Sequence, residues 1–508
     1  MSQNKPQAPA GDADSAHTPA PAVPEHEGDT AFFGHPLGLA NLFGVEVWER
    51  FSFYGMQAVL IFYLYYQAVD GGLAIDKSLA TAIVGAYGGM VFLAAIGGGW
   101  IADRVLGPER TLFYSAILIM IGHISLSALH GYSGLVIGLV AIALGSGGLK
   151  TTASTVLGKL YSETDPRRDG GFSIFYMGVN IGALFGPLLT GWVWNHWGFH
   201  WAFGTAAVGM AIGLVQYTLL RKRTIGQAGH EVSNPLPKEQ YLKVIGATVA
   251  IAAVIVLLFV FGVLKVDWLS NIVTGVAVIT AIGLWTQMYR STAVTDTERK
   301  RLIGFIPMFV ATALFFSIFQ QQFTVLAIYS DERLNRNVFG TELSPAWVQS
   351  INPIFIILFA GVFASVWTKM GTKQPSTPVK YALAMIVVGL APFIFIPFAG
   401  GEANSTPFWV IVVILLIFTL AELMISPVGL SLATKLAPRA FPTRMMTLHM
   451  MSLAIGTALA GTFAGFYHPE VASEERLYFT VLGGSAIILG VIMLVLSKPI
   501  VKLFSGVR

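Results

Sequence analysis

Fourteen times between residues 37 and 497 the chain runs apolar for about 20 residues, the length of α-helix that crosses a hydrocarbon core of about 30 Å. The runs lie near 37–66, 79–102, 111–129, 134–160, 172–194, 200–220, 241–264, 267–289, 302–329, 346–368, 379–398, 407–434, 443–467 and 477–497. Only 11% of the residues are charged, against about 25% in soluble domains, so most of the chain has no water to face. The expected class is an all-α polytopic membrane protein. The first ~30 residues are rich in Ala, Pro, Asp, Glu and Ser and read as a disordered tail. They lack the basic start and apolar core of a signal peptide.

Cation placement assigns the sides. One set of loops, with the tails, carries 23 of the 31 Lys and Arg; the alternate set holds Lys77, Lys265, Arg333, Arg336 and Arg476. Cytoplasmic loops are the cation-rich ones, so both termini are expected in the cytoplasm and the protein in the cell membrane as a multi-pass chain. Tryptophans 192, 194, 197 and 201 sit around one helix end, where an aromatic interfacial belt is the expectation and a binding cage the alternative.

Charges inside membrane helices cost at least ~2.5–3.5 kcal/mol each and mark functional sites. The first helix holds Glu46, Glu49 and Arg50. At 100° per residue these three fall with Phe53, Tyr54 and Gln57 in an arc of about 140°, a polar stripe expected to face a cavity. Two carboxylates against one guanidinium leave excess negative charge, to be met by another cation or by a proton held on one Glu. Lys150, midway along the fourth helix, is the nearest candidate counter-ion, and Glu422 supplies a carboxylate from the second half of the chain. A static ion-pair network is the alternative, although apolar packing joins helices without the desolvation penalty.

Weaker signals accompany these. Asn180 follows Tyr176 by one turn, with Gly178 and Gly182 permitting close helix approach. Asn352-Pro353 and Ser426-Pro427 are expected to break helices beside a cavity. His449 either titrates near neutral pH or bonds a neighbouring helix. The chain has no cysteine, which excludes disulfides, iron–sulfur clusters and thiol catalysis. It has no Walker loop, HExxH or GxSxG. No enzyme activity, cofactor, metal, ATP or nucleic-acid partner is expected; the partners are the lipid bilayer, protons and a small solute, driven by a cation gradient.

Four motifs carry a family resemblance. Glu46-Val-Trp-Glu49-Arg50-Phe51-Ser-Phe-Tyr54-Gly resembles the ExxERFxYY signature of the proton-dependent oligopeptide transporters, a branch of the major facilitator superfamily. The 99–110 segment resembles the superfamily's loop motif, Phe175-Tyr176-Met-Gly-Val-Asn180-Ile-Gly182 the family's FYxxINxG, and Glu422-Leu-Met-Ile-Ser426-Pro427-Val-Gly429 its helix-10 motif. The resemblance implies the major facilitator fold. Its parts would be a tail over 1–34, six-helix bundles over 35–222 and 301–508, and a linker over 223–300 with two extra transmembrane helices. It implies import of di- and tripeptides with protons by alternating access. Glu46, Glu49 and Arg50 would handle the proton, coupled to Lys150. Arg50 and Lys150 would attract the peptide carboxylate, Asn352 and Glu422 the amino group. Tyr54, Gln57, Tyr87, Tyr176, Asn180, Gln320, Ser426 and His449 would complete the substrate site.

The sequence departs from the family pattern in the pocket. Gln57 stands where many members have Arg, Thr151-Thr152 replaces Pro-Asn, Gln320 occupies an often acidic position, and Phe316 and His449 fall where tryptophans are common. Another proton-coupled carrier of the same architecture, moving nitrate, an amino-acid derivative or a drug and including exporters, is the alternative. A receptor or scaffold without turnover is the third class.

Overall fold

The computed structural model describes residues 29–162 and 165–506. Its helices are α1 (Leu37–Tyr65), α2 (Lys77–Ile101), α3 (Pro108–Ala128), α4 (Gly131–Gly158), α5 (Arg168–Trp197), α6 (Phe199–Thr224), α7 (Lys238–Val260) and α8 (Leu269–Arg290). They continue as α9 (Asp296–Phe319), α10 (Val325–Glu332), α11 (Ile351–Met370), α12 (Thr377–Leu390), α13 (Phe408–Leu436), α14 (Pro442–Ala464) and α15 (Ala472–Leu503). Among the described residues thirteen helical segments are long and apolar enough to cross a membrane, α9 and α10 together making one of them. The 29-residue α1 is as long and is set apart by its polar stripe. With it the expected fourteen segments are present. The tail expected over 1–34 falls mostly on residues 1–28, outside the described residues. Residues 29–35 form a turn: Asp29 accepts from the Leu37 N–H at 2.8 Å, and Arg167 reaches the Asp29 and Gly34 carbonyls. Arg167 also grips Asp165 in the α4–α5 loop, its hydrogen bonds holding that carboxyl below the usual carboxylate range.

α1 to α6 pack as one bundle and α9 to α15 as a second, each around its own apolar core. Small residues set the spacing inside the first. A Cβ on Gly182 of α5 would lie 2.5 Å from the Val47 carbonyl oxygen and 2.7 Å from the Arg50 Cβ, so α1 and α5 meet almost backbone to backbone. The same device joins the bundles, since a Cβ on Gly85 of α2 would lie 2.6 Å from the Gly461 Cα of α14. α8 lays Ser270, Val273, Ala277 and Ala281 against this seam, with the Ser270 hydroxyl on the Ala458 carbonyl. None of α7's residues is buried, as suits a helix surrounded by lipid.

Three local expectations change. The segment expected as one helix over 302–329 starts earlier, at a capping box of Thr295 and Glu298, and breaks at a 3-10 turn over Gln320–Phe323. No proline or glycine causes the break. Gln321 donates to the Ser317 and Ala460 carbonyls and accepts from the Thr324 hydroxyl; these bonds compete with the helical ladder. Pro427 does not break its helix: α13 runs through it, leaving only the Leu423 carbonyl without its ladder N–H. Asn352-Pro353 likewise lies in the first turn of α11, just after a 3-10 turn over Pro345–Ser350, where a missing N–H costs nothing. Of the four tryptophans, 192, 197 and 201 are exposed as a belt requires. Trp194 is buried, stacked on Phe62 at 4.8 Å.

Candidate functional site: a cavity between the bundles

The central cavity, about 160 Å³, is walled by both bundles. α1 contributes Phe53, Tyr54 and Gln57, α4 contributes Lys150, and α5 contributes Tyr176 and Asn180. Across from them stand Gln320 and Gln322 of the 3-10 turn, Gln349 and Asn352 before and within α11, and Glu422 of α13. Among the described residues Lys150 and Glu422 are the only Lys, Arg, Asp or Glu on this wall, and they come from opposite bundles. The Lys150 ammonium lies over the Phe92 ring at 4.5 Å, and among the described residues no ion pair joins it to a carboxylate. Glu422 is met by the Asn352 side-chain amide at 3.4 Å, which also donates to Thr419 at 2.9 Å. A separated positive and negative charge thus face one small space. Asn180, buried, donates to the Tyr176 carbonyl, which holds the α5 wall in place.

The polar stripe of α1 divides. Phe53, Tyr54 and Gln57 reach the cavity, whereas Glu46, Glu49 and Arg50 are off its wall, 2%, 0% and 4% exposed inside the first bundle. Arg50 Nε lies 2.7 Å from Glu46 and 3.2 Å from Glu49, and Ser146 of α4 donates to the other Glu49 oxygen at 3.2 Å. Lys150 is close enough for its charge to act on Glu49 but makes no direct pair with it. It is a neighbour of the cluster without an ion pair to it. At about 100° per residue the two groups interleave around the arc, in the order Glu49, Phe53, Glu46, Gln57, Arg50, Tyr54; what separates them is height along α1, residues 46–50 preceding 53–57, which a helical wheel does not record.

Four residues expected at the substrate site are not on the wall in this conformation. Arg50 is one. Tyr87 stands behind it, stacked on Phe53 at 6.1 Å. Ser426 has its hydroxyl buried without a partner, and His449 packs edge-on to Phe305 at 6.5 Å with its Nδ1 unpartnered. Three glutamines were missed or underrated. Gln322 and Gln349 line the cavity, and both polar atoms of the Gln349 side chain are buried without a partner, as is the Gln320 carbonyl oxygen. Three consecutive glutamines at 320–322 inside an apolar run, and Gln349 three residues before Asn352, were the signals available.

One end of the cavity is shut. Tyr65 and Tyr66 at the end of α1 donate to Asp331 of α10 at 2.5 and 2.9 Å, and Lys77 pairs with Glu332. Trp347 and Ser350 donate to the Leu188 and Leu184 carbonyls of α5, both at 2.9 Å. Toward the other end Tyr176 is 52% exposed.

A two-bundle membrane protein with a charged central cavity, latched at one end, is a solute carrier of the alternating-access kind. The comparisons with known proteins make this specific. The POT family model matches residues 109–476. An uncharacterized transporter of Bacillus subtilis (strain 168), YclF, is 43% identical over 480 residues, covering 94% of this chain and 96% of that protein. A di-/tripeptide transporter of Lactococcus lactis subsp. cremoris is 37% identical over 495 residues, covering 94% and 99%. A crystal structure of a peptide transporter POT in complex with sulfate superposes with a TM-score of 0.89 at 43% identity, over 95% of this chain and 98% of that one. The chain belongs to the POT family, with the major facilitator fold.

Proposed function

We propose that the chain imports di- and tripeptides together with protons across the cell membrane, as a carrier and not an enzyme. The observation that carries this reading is the placement of Lys150 and Glu422 on opposite walls of one cavity, each without an ion-pair partner among the described residues. Main-chain termini are common to all short peptides, so a cation for the carboxylate and an anion for the amino group recognise the class without reading side chains. Asn352 assists Glu422; Tyr54, Gln57, Tyr176, Asn180 and Gln320 line the space between. The di-/tripeptide transporter from Lactococcus supports the same substrate class.

The buried Glu46–Glu49–Arg50 cluster is the proton site. Its two carboxylates share one guanidinium, so one of them holding a proton balances the charge, and Lys150 transmits the cluster's state to the substrate carboxylate. Residues 35–222 and 301–508 act as the two moving bundles, with 223–300 as the connecting segment. The cation-rich loops support a cytoplasmic position for both termini; on that reading the latched end is extracellular and the present conformation is closed to the outside.

A competition panel tests the substrate class. Dipeptides and tripeptides should inhibit uptake of labelled dialanine by the reconstituted protein, whereas single amino acids and nitrate should not. Inhibition by nitrate but not by tripeptides would overturn the assignment.

A further inference from the structure

A second space, about 920 Å³, opens at the loop-facing ends of α11, α12, α13 and α15. Lys380, Lys435, Lys498 and Lys502 converge on it, and among the described residues no Asp or Glu lines it. It is separate from the central cavity. Its α13 residues, from Pro427 to Lys435, centre on the face roughly opposite Glu422 at 100° per residue. Excess lysine at the end of a membrane helix ordinarily points into water. Lys380 instead is 9% exposed, donates to the Gln374 side-chain Oε1 at 2.8 Å and lies 4.3 Å from the Trp367 ring centre. Among the described residues no ion pair joins it to a carboxylate. The Trp367 indole N–H beside it is buried and has no acceptor. Four lysines and an unused donor therefore line a space with no Asp or Glu on its wall among the described residues. A buried ammonium costs several kcal/mol unless its charge is met.

We propose that this groove binds a phosphate-bearing anion. The groove's position favours the headgroup of an anionic membrane lipid as the source: basic pockets between helices at the cytoplasmic surface take such headgroups. Val366, next to Trp367, and Val495, about one turn before Lys498, are 46% and 72% exposed and offer apolar surface for acyl chains. The bound phosphate would tie α12 and α15 to α13, the helix that carries Glu422.

The full-length protein in detergent is titrated with phosphatidylglycerol, with phosphatidylcholine of the same acyl chains, and with inorganic phosphate. Thermal unfolding and native mass spectrometry of retained lipid are the readouts. Phosphatidylglycerol should raise the unfolding midpoint and stay bound, whereas phosphatidylcholine, whose choline cancels the phosphate charge, should do neither. The double variant Lys498→Gln with Lys502→Gln changes two exposed side chains and should fold normally. It should lower the preference for phosphatidylglycerol about 30-fold, from the contribution of each basic residue near an anionic surface. Lys380→Gln should remove it. An equal response to inorganic phosphate assigns the site to the free anion, and a response to phosphatidylglycerol alone assigns it to the lipid. Equal binding of both lipids with no response to phosphate, or a preference untouched in the lysine variants, would overturn the proposal.

Discussion

Replacing Asp331 by Ala should open the latched end of the protein. Asp331 is the single acceptor for both Tyr65 and Tyr66, at 2.5 and 2.9 Å, and its side chain is only 13% exposed. A hydrogen bond to a charged group contributes about 1.5–3 kcal/mol. Taking the lower value for each, because water replaces Asp331 once the end opens, the two together hold the latch by about 3 kcal/mol. That is on the order of a 100-fold shift in the closed-to-open ratio. The neighbouring Lys77–Glu332 pair is 46% and 31% exposed at its two side chains, and so contributes about 0–1 kcal/mol. The hydroxyl bonds dominate. The chain has no cysteine, so Val69→Cys with Phe339→Cys, at positions 92% and 103% exposed on either side of the latch, can be spin-labelled without background. Electron–electron resonance should give one short distance in the parent, a second longer population in Asp331→Ala, and a nearly unchanged distribution in Lys77→Ala. Identical distributions for the parent and a folded Asp331→Ala would refute the reasoning.

Two further outcomes follow from the first bundle. Glu49→Gln should reduce gradient-driven dialanine uptake at least about tenfold while sparing counterflow exchange, which moves no net proton; equal loss of both would make Glu49 a structural residue. Gly182→Leu should lower the thermal midpoint by the overpacking cost of about 1–3 kcal/mol or more, since its Cβ would collide with the α1 backbone at 2.5 Å, while Gly246→Leu on α7, with nothing within 4 Å, should not. Equal midpoints for the two variants would remove the close α1–α5 contact from the account.

The number and type of helices were legible because a membrane span announces itself by length and hydropathy, and the buried charges of α1 because each is conspicuous in such a span. Height along a helix was less so. Ser426 lies only about 40° round α13 from Glu422 but one turn further along, and His449 lies about two turns before Thr457 on α14; neither is on the cavity wall. A wheel records direction and is silent on where along the axis a cavity begins and ends. The break after Phe319 was hidden for a different reason. It is made by side-chain amides bonding to backbone, with no proline or glycine to mark it. The same glutamine-rich stretch concealed part of the site, since a neutral amide in an apolar run draws less notice than a charge. Gln349 in particular carries two unsatisfied polar atoms into the cavity.

Gradient-driven accumulation of dialanine bears most directly on the coupling of the Glu46–Glu49–Arg50 cluster to the Lys150–Glu422 cavity. In liposomes holding the purified protein, an inward proton gradient should drive labelled dialanine above its equilibrium level, and collapsing the gradient with a protonophore should return it to equilibrium. Dialanine that stays at equilibrium with and without the gradient would contradict the account.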